Sequence, residues 1–391
     1  MFDNKDISIY IHYPFCLSKC PYCDFNSYKM LNVDMQQLEN AYITELNYYY
    51  NLLKDRTVKT IFFGGGTPSL MPIKMLSTIL NNINSHWDID KDVEISIEAN
   101  PTSVEVRKFC EYKSLGINRI SIGIQSLDEN DLHFLGRQHT VNDAKNAIKL
   151  AQKYFGSHYS IDLIYARSEQ KLDKWKNELN EAIKLSPFHI SLYQLIIAEG
   201  TKFFKDKIQP LDDENCAIFY SETNNILENN NIHCYEVSNY AQNGYECKHN
   251  LNYWKSGEWI GVGAGAHGRI CLNNNLENTD YKERIATQNY NGANKWIQQI
   301  QKLGHGAESI EILAKNDFIE EVLLMGLRMP NGIKLEDVQK YININNIEDL
   351  ALNKENFLML KNKKYIEVLN NTFRVNKKYF SILDSIIGKL I

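Results

Sequence analysis

Three cysteines lie within eight residues near the start of the chain, in the stretch CLSKCPYC. Cys16, Cys20 and Cys23 have the spacing C-x3-C-x2-C. A 4Fe–4S cluster held by only three thiolates leaves one iron with an open coordination position. A structural zinc ion would need a fourth ligand, and the neighbouring residues supply no obvious one. The spacing favours a cluster that binds an outside molecule; a zinc site completed by a distant His or Cys is the alternative.

Other cysteines and histidines are less specific candidates. His12 precedes the cysteine cluster at a strand end, where packing or support of a ligand is expected. Cys247 lies two residues before His249 and could be a ligand, although a small apolar role is the simpler interpretation. The same apolar interpretation applies to Cys110, Cys216, Cys234 and Cys271. His267, in GAGAHG, could support a ligand from a second layer.

Polar residues and glycines come where predicted strands end. GGGTP (64–68) follows the second strand, and consecutive glycines let the backbone approach a ligand closely, or simply make a tight turn. The polar side chains near the ends of the next three strands are Glu98, Gln125, Arg137 and Asp162. An α/β barrel places its chemistry at these strand ends. Each residue alone could instead be a cap or a structural hydrogen-bonding group.

The elements that position these residues can be predicted from periodicity. Apolar runs typical of strands occupy 7–11, 58–63, 93–99, 117–124, 159–166 and 189–197. A helical pattern separates the first two runs, at Leu38, Tyr42, Leu46, Tyr49 and Leu53. Strands that alternate with helices predict a parallel sheet of βαβ units. The rhythm weakens after residue 200, so the predicted fold is α/β, with a partial (β/α)6 barrel or a wide open sheet.

The pattern changes after the Asn-rich stretch 273–280, which predicts two domains, 1–275 and 276–391. The second is predicted to be mostly helical, with a helix over 319–329. It ends in YIEVLNNTFRVN (365–376), which predicts a hairpin with Asn370 and Asn371 at its turn. Helices followed by a hairpin predict a winged-helix-like accessory domain.

Charge and hydropathy exclude several classes of protein. The net charge is −5, from 43 Lys and Arg against 48 Asp and Glu, which argues against a nucleic-acid-binding protein. No apolar run is long enough to span a membrane, and the start lacks a signal-peptide layout; both predict a cytoplasmic protein. Residues 351–391 carry eight Lys and Arg against three Asp and Glu. This excess indicates a solvated helical face, or a surface for an acidic partner or an anionic membrane.

The cysteine motif, with Tyr22 before its last cysteine, resembles that of the radical S-adenosylmethionine (SAM) superfamily. The resemblance implies that SAM chelates the open iron and that electron transfer from the cluster cleaves a C–S bond, releasing a 5′-deoxyadenosyl radical. It implies SAM contacts from Tyr10, Tyr22, Gly65, Gly66, Thr67, Glu98, Gln125, Arg137, Asp162 and Ile196. In the family IDLIY usually continues with Gly-Leu-Pro; here Ala166 and Arg167 follow, so the loop beside SAM differs.

Several motifs together resemble the oxygen-independent coproporphyrinogen III oxidase group, over about residues 7–270. They are YIHYPFCLSKCPYCDFNSY, FFGGGTPSL, SIEANP, GIQSL, LGRQH and IDLIY. The true oxidases have a further cysteine two positions after the third one, where this chain has Phe25. HNLNYW (249–254) matches the HNxxYW motif of the haem-chaperone (HemW-like) branch.

The match to the haem-chaperone branch implies haem binding by four residues of the motif: His249, Asn250, Tyr253 and Trp254. An imidazole can ligate a haem iron, and Tyr and Trp rings offer flat apolar surface to a porphyrin. On residue types alone, aromatic side chains that pack on the barrel and a His that hydrogen-bonds a carbonyl remain the alternative.

Three functions follow from these observations. The resemblance implies a chaperone that binds a 4Fe–4S cluster, SAM and haem, needs an electron donor, and delivers haem to haem proteins such as membrane-bound respiratory enzymes. SAM cleavage is implied, and dimer formation is left open. The first alternative is an authentic coproporphyrinogen oxidase of porphyrin biosynthesis. The second is a non-enzymatic protein in which the cysteines hold structural zinc.

Overall fold

The computed structural model describes residues 5–29, 34–186, 188–272 and 281–391, and its main feature is a mixed sheet of twelve strands. In chain order the described strands are β1 Asp6–Tyr13, β2 Phe15–Cys16, β3 Tyr28–Lys29, β4 Thr57–Gly65, β5 Asp88–Ala99, β6 Arg119–Gln125, β7 Tyr159–Tyr165, β8 His189–Gln194, β9 His233–Glu236, β10 Asn239–Ala241, β11 Trp259–Val262, β12 His267–Cys271, β13 Arg284–Asn289, β14 Ala307–Leu313, β15 Ile333–Lys334, β16 Ile366–Leu369 and β17 Thr372–Val375.

Helices connect most of the strands of this sheet. In chain order the described α-helices are α1 Met35–Leu52, α2 Ile73–His86, α3 Ser103–Val106, α4 Phe109–Ser114, α5 Glu129–Phe134, α6 Val141–Phe155, α7 Leu172–Leu185, α8 Lys202–Lys205, α9 Asp213–Glu228, α10 Lys248–Trp254, α11 Ala293–Leu303, α12 Lys315–Gly326, α13 Leu335–Val338, α14 Lys354–Asn362 and α15 Leu383–Leu390. Short 3-10 helices occupy Pro68–Leu70, Ile347–Leu350 and Lys377–Ile382.

The centre of the sheet is parallel and built from βαβ units. Strands β1, β4, β5, β6, β7 and β8 are neighbours in that order, and each pair is parallel. These are the six strands that periodicity predicts, so the predicted α/β fold is confirmed. A seventh parallel strand, β11, pairs with the other side of β1.

The two faces of the parallel strands differ in polarity. In β1, Ile7, Ile9 and Ile11 are fully buried in the main apolar core, beneath the crossover helices. Helix α1 buries Leu38, Tyr42, Leu46 and Tyr49 in the same core, and the Asp34 side chain caps its first turn. Because side chains alternate along a strand, Ser8, Tyr10 and His12 point to the opposite face. We call this opposite, polar face the inner face.

Antiparallel strands extend the sheet at both ends without closing it. Strands β10 and β9 continue from β8, while β12, β13 and β14 continue from β11. The described end strands β9 and β14 are not neighbours, so the barrel is partial. The predicted boundary between 275 and 276 lies outside the described residues. On its two sides β12 and β13 pair with each other, so the sheet continues into the part predicted as mostly helical.

A second apolar core lies mainly in residues 315–391. Helices α12 to α15 pack here with a small sheet in the order β15–β17–β16. The predicted hairpin is confirmed as β16 and β17. Asn370 and Asn371 at its turn have φ values of 50° and 58°, the left-handed conformations that a two-residue type I′ turn requires. No described helix is long and apolar enough to cross a membrane.

Candidate functional site

The three cysteines lie on the loop that follows β1, at the carboxyl edge of the parallel strands. All three are free thiols; Cys16 is buried, and Cys20 and Cys23 are partly exposed. Each sulfur has a different hydrogen-bond partner. Thr67 Oγ1 donates to Cys16 Sγ at 3.4 Å, and Arg137 Nη1 donates to Cys20 Sγ at 3.3 Å. The third contact joins Cys23 Sγ and Ser27 Oγ at 3.6 Å.

Contacts at both ends fix this loop in place. His12 Nε2 contacts the Asn26 carbonyl at 2.9 Å, and the Asn26 amide donates to the carbonyls of Ala264 and Asn291, at 3.0 Å each. In the middle of the loop, the Pro21 carbonyl accepts from Phe203 N at 2.9 Å. His12 therefore supports the loop rather than adding a ligand to it.

The thiols suit a polynuclear cluster better than a single ion. Among the described residues, no group of three or more His, Cys, Asp or Glu is arranged to hold one metal ion. In a cubane each thiolate binds a different iron, so the three sulfurs need not converge on one point. The loop therefore fits a cubane cluster.

The glycine turn after β4 supports the cysteine loop. Gly65 has φ 116°, and its N–H donates to Glu98 Oε2 at 3.2 Å. A Cβ on Gly66 would lie 2.9 Å from the Phe15 carbonyl oxygen and 3.0 Å from Cys16 Sγ. Sequence reasoning assigns the glycine here to close approach of a ligand. The structure adds another reason, because the cysteine loop itself passes too close for a side chain.

Two predicted carboxylates lie together on the inner face. Asp162 accepts from Ser121 Oγ at 2.9 and 3.0 Å. Burial raises the pKa of Glu98 to about 8, and the nearby charge of Asp162 adds to this. Burial also raises the pKa of Asp162. Tyr10 is close enough for the Glu98 charge to raise its pKa further, after the larger effect of burial. The structure thus brings three of the predicted SAM residues together.

The other predicted SAM residues differ in how close they lie to the cysteines. Tyr22 packs near Phe203, with ring centroids 6.3 Å apart. Gln125 ends β6 with φ 63°, and its amide lies over Gly123, where a Cβ would come 2.7 Å from Gln125 Nε2. Arg137 and Thr67 contact cysteine sulfurs directly. Ile196 lies in the loop after β8 and is 70% exposed, so the described residues do not bury it against this group.

Sequence reasoning missed several residues of the site. Asn26 anchors the cysteine loop, Ser27 contacts Cys23, and Asn100 contacts both Thr67 and Arg137. Asn100 directly follows β5 in SIEANP, so the rule that polar residues gather at strand ends could have found it. Nothing in the spacing signals Ser27, because its contact depends on how the loop turns back.

The HNLNYW segment forms the short helix α10, which lies against the inner face. Glu94 on β5 accepts from the backbone N–H groups of Lys248 and His249, at 3.1 Å each. His249 is 1% exposed. Its Nδ1 contacts Thr60 Oγ1 at 2.6 Å, and its Nε2 contacts Tyr253 OH at 2.7 Å. Burial lowers the pKa of His249 to about 3. Both ring nitrogens are therefore occupied by the protein.

The other end of α10 contacts the second core. Trp254 lines an open crevice of about 220 Å³ with Val322, Met329 and Ile333, and its indole N–H is buried without a hydrogen-bond partner. Asn250 is partly exposed. Of the four predicted haem residues, His249 and Tyr253 thus contact each other inside the sheet, and Trp254 faces the crevice.

A partial α/β barrel with three free cysteines at its carboxyl edge is the arrangement that the sequence resemblance to radical SAM proteins implies. A model of the radical SAM superfamily matches residues 10–179. A zebrafish (Danio rerio) protein, mitochondrial radical S-adenosyl methionine domain-containing protein 1, is 31% identical over 99% of this chain and 87% of its own length. The haem chaperone HemW of Escherichia coli K12 is 41% identical over 68% of this chain and 71% of its own length.

A solved structure matches almost the whole chain. The coproporphyrinogen III oxidase HemN of Escherichia coli, described as a radical SAM enzyme, has a TM-score of 0.81 at 18% identity and covers 99% of this chain and 90% of its own. At this identity the likeness shows the fold alone. The sequence relatives lead to one conclusion: the chain belongs to the HemW-like radical SAM proteins, and it shares the fold of HemN.

Proposed function

We propose that the chain binds a 4Fe–4S cluster through Cys16, Cys20 and Cys23 and SAM at the iron that these thiolates leave open. The observation that supports this proposal is that three free cysteines, each with a hydrogen-bond partner, lie on one anchored loop at the carboxyl edge of the parallel strands. Once bound, the cluster supplies the electron for SAM cleavage. The protein residues orient SAM and limit access of water.

We assign the SAM contacts by chemistry and position. Glu98 accepts from the ribose hydroxyls, because a carboxylate at the strand end faces the inner side. The carbonyls of Gly65 and Gly66 accept from the ammonium group, and Arg137 and Gln125 bind polar groups of SAM near the cluster. Tyr10, Tyr22, Thr67, Asp162 and Ile196 complete the proposed set.

The experiment that tests the cluster is anaerobic reconstitution followed by counting of iron and sulfide. We expect about four irons per wild-type chain and loss of the cluster in Cys20→Ser. Cys110→Ser is the matched control, because Cys110 is exposed on α4, away from the loop. Zinc without iron in the wild type would overturn the proposal.

We further propose that the chain binds haem and delivers it to haem proteins, as the name of its HemW relative suggests. The HNLNYW helix supports this, with Trp254 at an open crevice. Two features set conditions on binding. Ligation by His249 requires that it release Thr60 or Tyr253. The crevice beside Trp254 is narrow, because α10 packs against α12, so these two helices must separate to admit a porphyrin.

Haem titration of the reconstituted protein tests this step. The wild type is expected to bind one haem, with a Soret shift that changes in His249→Ala. His86→Ala on α2 is the control, because His86 lies outside the motif. An identical Soret spectrum and affinity in His249→Ala would show that His249 is not a ligand. A wild type that binds no haem would remove the chaperone proposal.

An authentic coproporphyrinogen III oxidase is the alternative, favoured by the HemN likeness in fold. Phe25 weighs against it. Phe25 is 64% exposed. It occupies the position, two residues after Cys23, at which the true oxidases have an additional cysteine. Consumption of coproporphyrinogen with SAM and a reductant would establish the alternative.

We propose a cytoplasmic protein that meets its acceptors, such as respiratory enzymes, at the membrane surface. The basic excess of 351–391 supports a surface contact, although ion pairs with Glu348 and Glu367 hold Lys361 and Arg374. Sedimentation with anionic vesicles tests this; no co-sedimentation at low salt would contradict it.

The proposed function also requires an electron donor. Light scattering of the reconstituted protein tests whether it forms a dimer.

A further inference from the structure

A chain of hydrogen bonds connects two of the cysteine sulfurs through the end of β5. Cys16 Sγ accepts from Thr67 Oγ1 at 3.4 Å, and Thr67 Oγ1 accepts from Asn100 Nδ2 at 3.2 Å. On its other side, Asn100 Oδ1 accepts from Arg137 Nη2 at 2.5 Å. Arg137 Nη1 then donates to Cys20 Sγ at 3.3 Å. Asn100 is therefore the middle of a path between Cys16 and Cys20.

The chemistry of the donors fixes the direction of every bond in this path. A guanidinium can only donate, so the Asn100 atom facing Arg137 must be its oxygen. The amide N–H₂ group then faces Thr67 and donates to the hydroxyl oxygen. Because Thr67 has one hydroxyl proton, this proton is left to point at Cys16 Sγ. One amide side chain thus directs two different donors at two sulfurs.

Asn100 is itself held by its surroundings. Its backbone N–H donates to Glu105 Oε2 at 2.9 Å, and Pro101 follows, which restricts its backbone. Arg137 is held as well, because its Nη2 also donates to the Gly123 carbonyl at 2.8 Å. The Asn100 backbone is therefore fixed, and its amide can hold the Thr67 hydroxyl and the Arg137 guanidinium in one arrangement.

We propose that Asn100 is a positioning residue that orients Thr67 and Arg137 toward Cys16 and Cys20 and so raises the reduction potential of the cluster. Reduction adds negative charge to the cluster, and hydrogen bonds to its sulfurs stabilise that charge. The contact from Arg137 carries a positive charge and is the stronger of the two. This inference rests on the proposed cluster but concerns its potential and not its presence.

The test is a redox titration of the reconstituted protein without SAM, monitored by electron paramagnetic resonance, after iron has been counted. Asn100→Leu keeps the size of the side chain and removes both of its hydrogen bonds. We expect at least a tenfold smaller equilibrium constant for reduction, a downward shift of about 59 mV for one electron. Asn82→Leu on α2 is the matched control and should leave the potential unchanged.

A second pair of variants keeps the inference testable if Asn100→Leu fails to retain its iron. Thr67→Val removes the proton that faces Cys16, whereas Thr67→Ser retains it. We expect a lower potential in the first and a wild-type potential in the second. A full iron content with an unchanged potential in Asn100→Leu would overturn the inference, as would equal potentials in the two Thr67 variants. A wild type without iron would overturn the proposed function as well.

Discussion

His249 has both ring nitrogens hydrogen-bonded in a site that excludes water, which makes its protonation unfavourable in the folded state. Its pKa of about 3 lies below the ordinary value near 6.5. As the pH falls, His249 therefore becomes protonated at a higher pH in the unfolded chain than in the folded protein. Stability from this residue is complete above about pH 6.5 and declines as the pH falls toward 3.

A comparison of two pH values checks this effect. The wild type should lose more stability than His249→Gln when the pH falls from 7 to 5. The difference between their free energies of unfolding should change by about 2 kcal/mol, to the disadvantage of the wild type. Urea unfolding at the two pH values gives both numbers. The subtraction removes the titration of the other histidines. An equal difference at pH 7 and pH 5 would contradict the buried, neutral imidazole.

Glu98 should show the opposite dependence on pH. Burial raises its pKa to about 8, from an ordinary value of 4.5, so the folded state holds a proton that the unfolded state releases. The free energy of unfolding should therefore fall as the pH rises from about 4.5 to 8. Relative to the wild type, Glu98→Gln should gain about 3 kcal/mol between pH 5 and pH 8. Urea unfolding checks this, and a constant difference would count against it.

At the residue scale, the sequence identifies those functional residues whose positions follow a known rule, such as the spacing of a motif or the end of a strand. The cysteines have a spacing, and Glu98 lies near the end of β5. Asp162, expected near a strand end, lies instead in the middle of β7. Contacts such as that of Ser27 with Cys23 depend on a loop conformation that no pattern encodes. His249 shows another limit: its residue type suits a ligand, but whether its ring is free depends on Thr60, which lies 189 residues away along the chain.

At the element scale, the loop after β7 is held by a buried ion network. Arg167 is 1% exposed and pairs with Glu178 at 2.5 Å and Asp131 at 2.9 Å. Glu178 also accepts from Ser126 Oγ at 2.5 Å and from Leu127 N at 2.8 Å. The network joins the loops after β6 and β7. Arg167 thus gives this loop a fixed conformation where the family that it resembles usually has a Leu-Pro.

Removal of Arg167 should be costly, because it leaves the Glu178 carboxylate buried without its cation. We expect Arg167→Met to lower the free energy of unfolding by about 3–5 kcal/mol. The double variant with Glu178→Gln should recover part of that loss, since it removes the stranded charge. Urea unfolding of the single and double variants measures the coupling. Additive losses would show that the pair does not act as a unit.

The hairpin turn offers a stabilising change. Asn371 has φ 58° and is exposed, and glycine reaches this conformation at no steric cost. Asn371→Gly should therefore raise the free energy of unfolding by about 0.5 kcal/mol. Asn371→Val should lower it, since a β-branched residue is strained at positive φ. Thermal unfolding of the two variants checks the direction, and a stabilised Val variant would exclude the type I′ turn.

Periodicity predicted the elements with long apolar runs or regular alternation of apolar and polar residues, including the six central parallel strands β1, β4, β5, β6, β7 and β8. It missed β13 and β14. RIATQN has one large apolar residue, and in AESIEIL the alternating Ile310 and Ile312 are exposed and not part of the core. Their place in the sheet comes from pairing with β12, and pairing partners far apart in sequence leave no local signal.

At the scale of the whole molecule, the cysteine loop joins β1 to distant parts of the chain through Asn26 and Pro21. A cluster bound only by the folded state should raise the unfolding temperature. We expect anaerobic, reconstituted wild type to unfold at a higher temperature than the iron-free chain. Cys20→Ser should show no such increase. Calorimetry measures both, and an equal rise in the variant would place the iron elsewhere.

Helix α10 is seven residues long and has two unlike sides. One side presents His249 and Tyr253 to the interior of the sheet, and the other places Trp254 beside α12 and its neighbours. It therefore lies between the inner face of the sheet and the second apolar core. A displacement of this one helix would change the surroundings of His249 and of Trp254 at the same time.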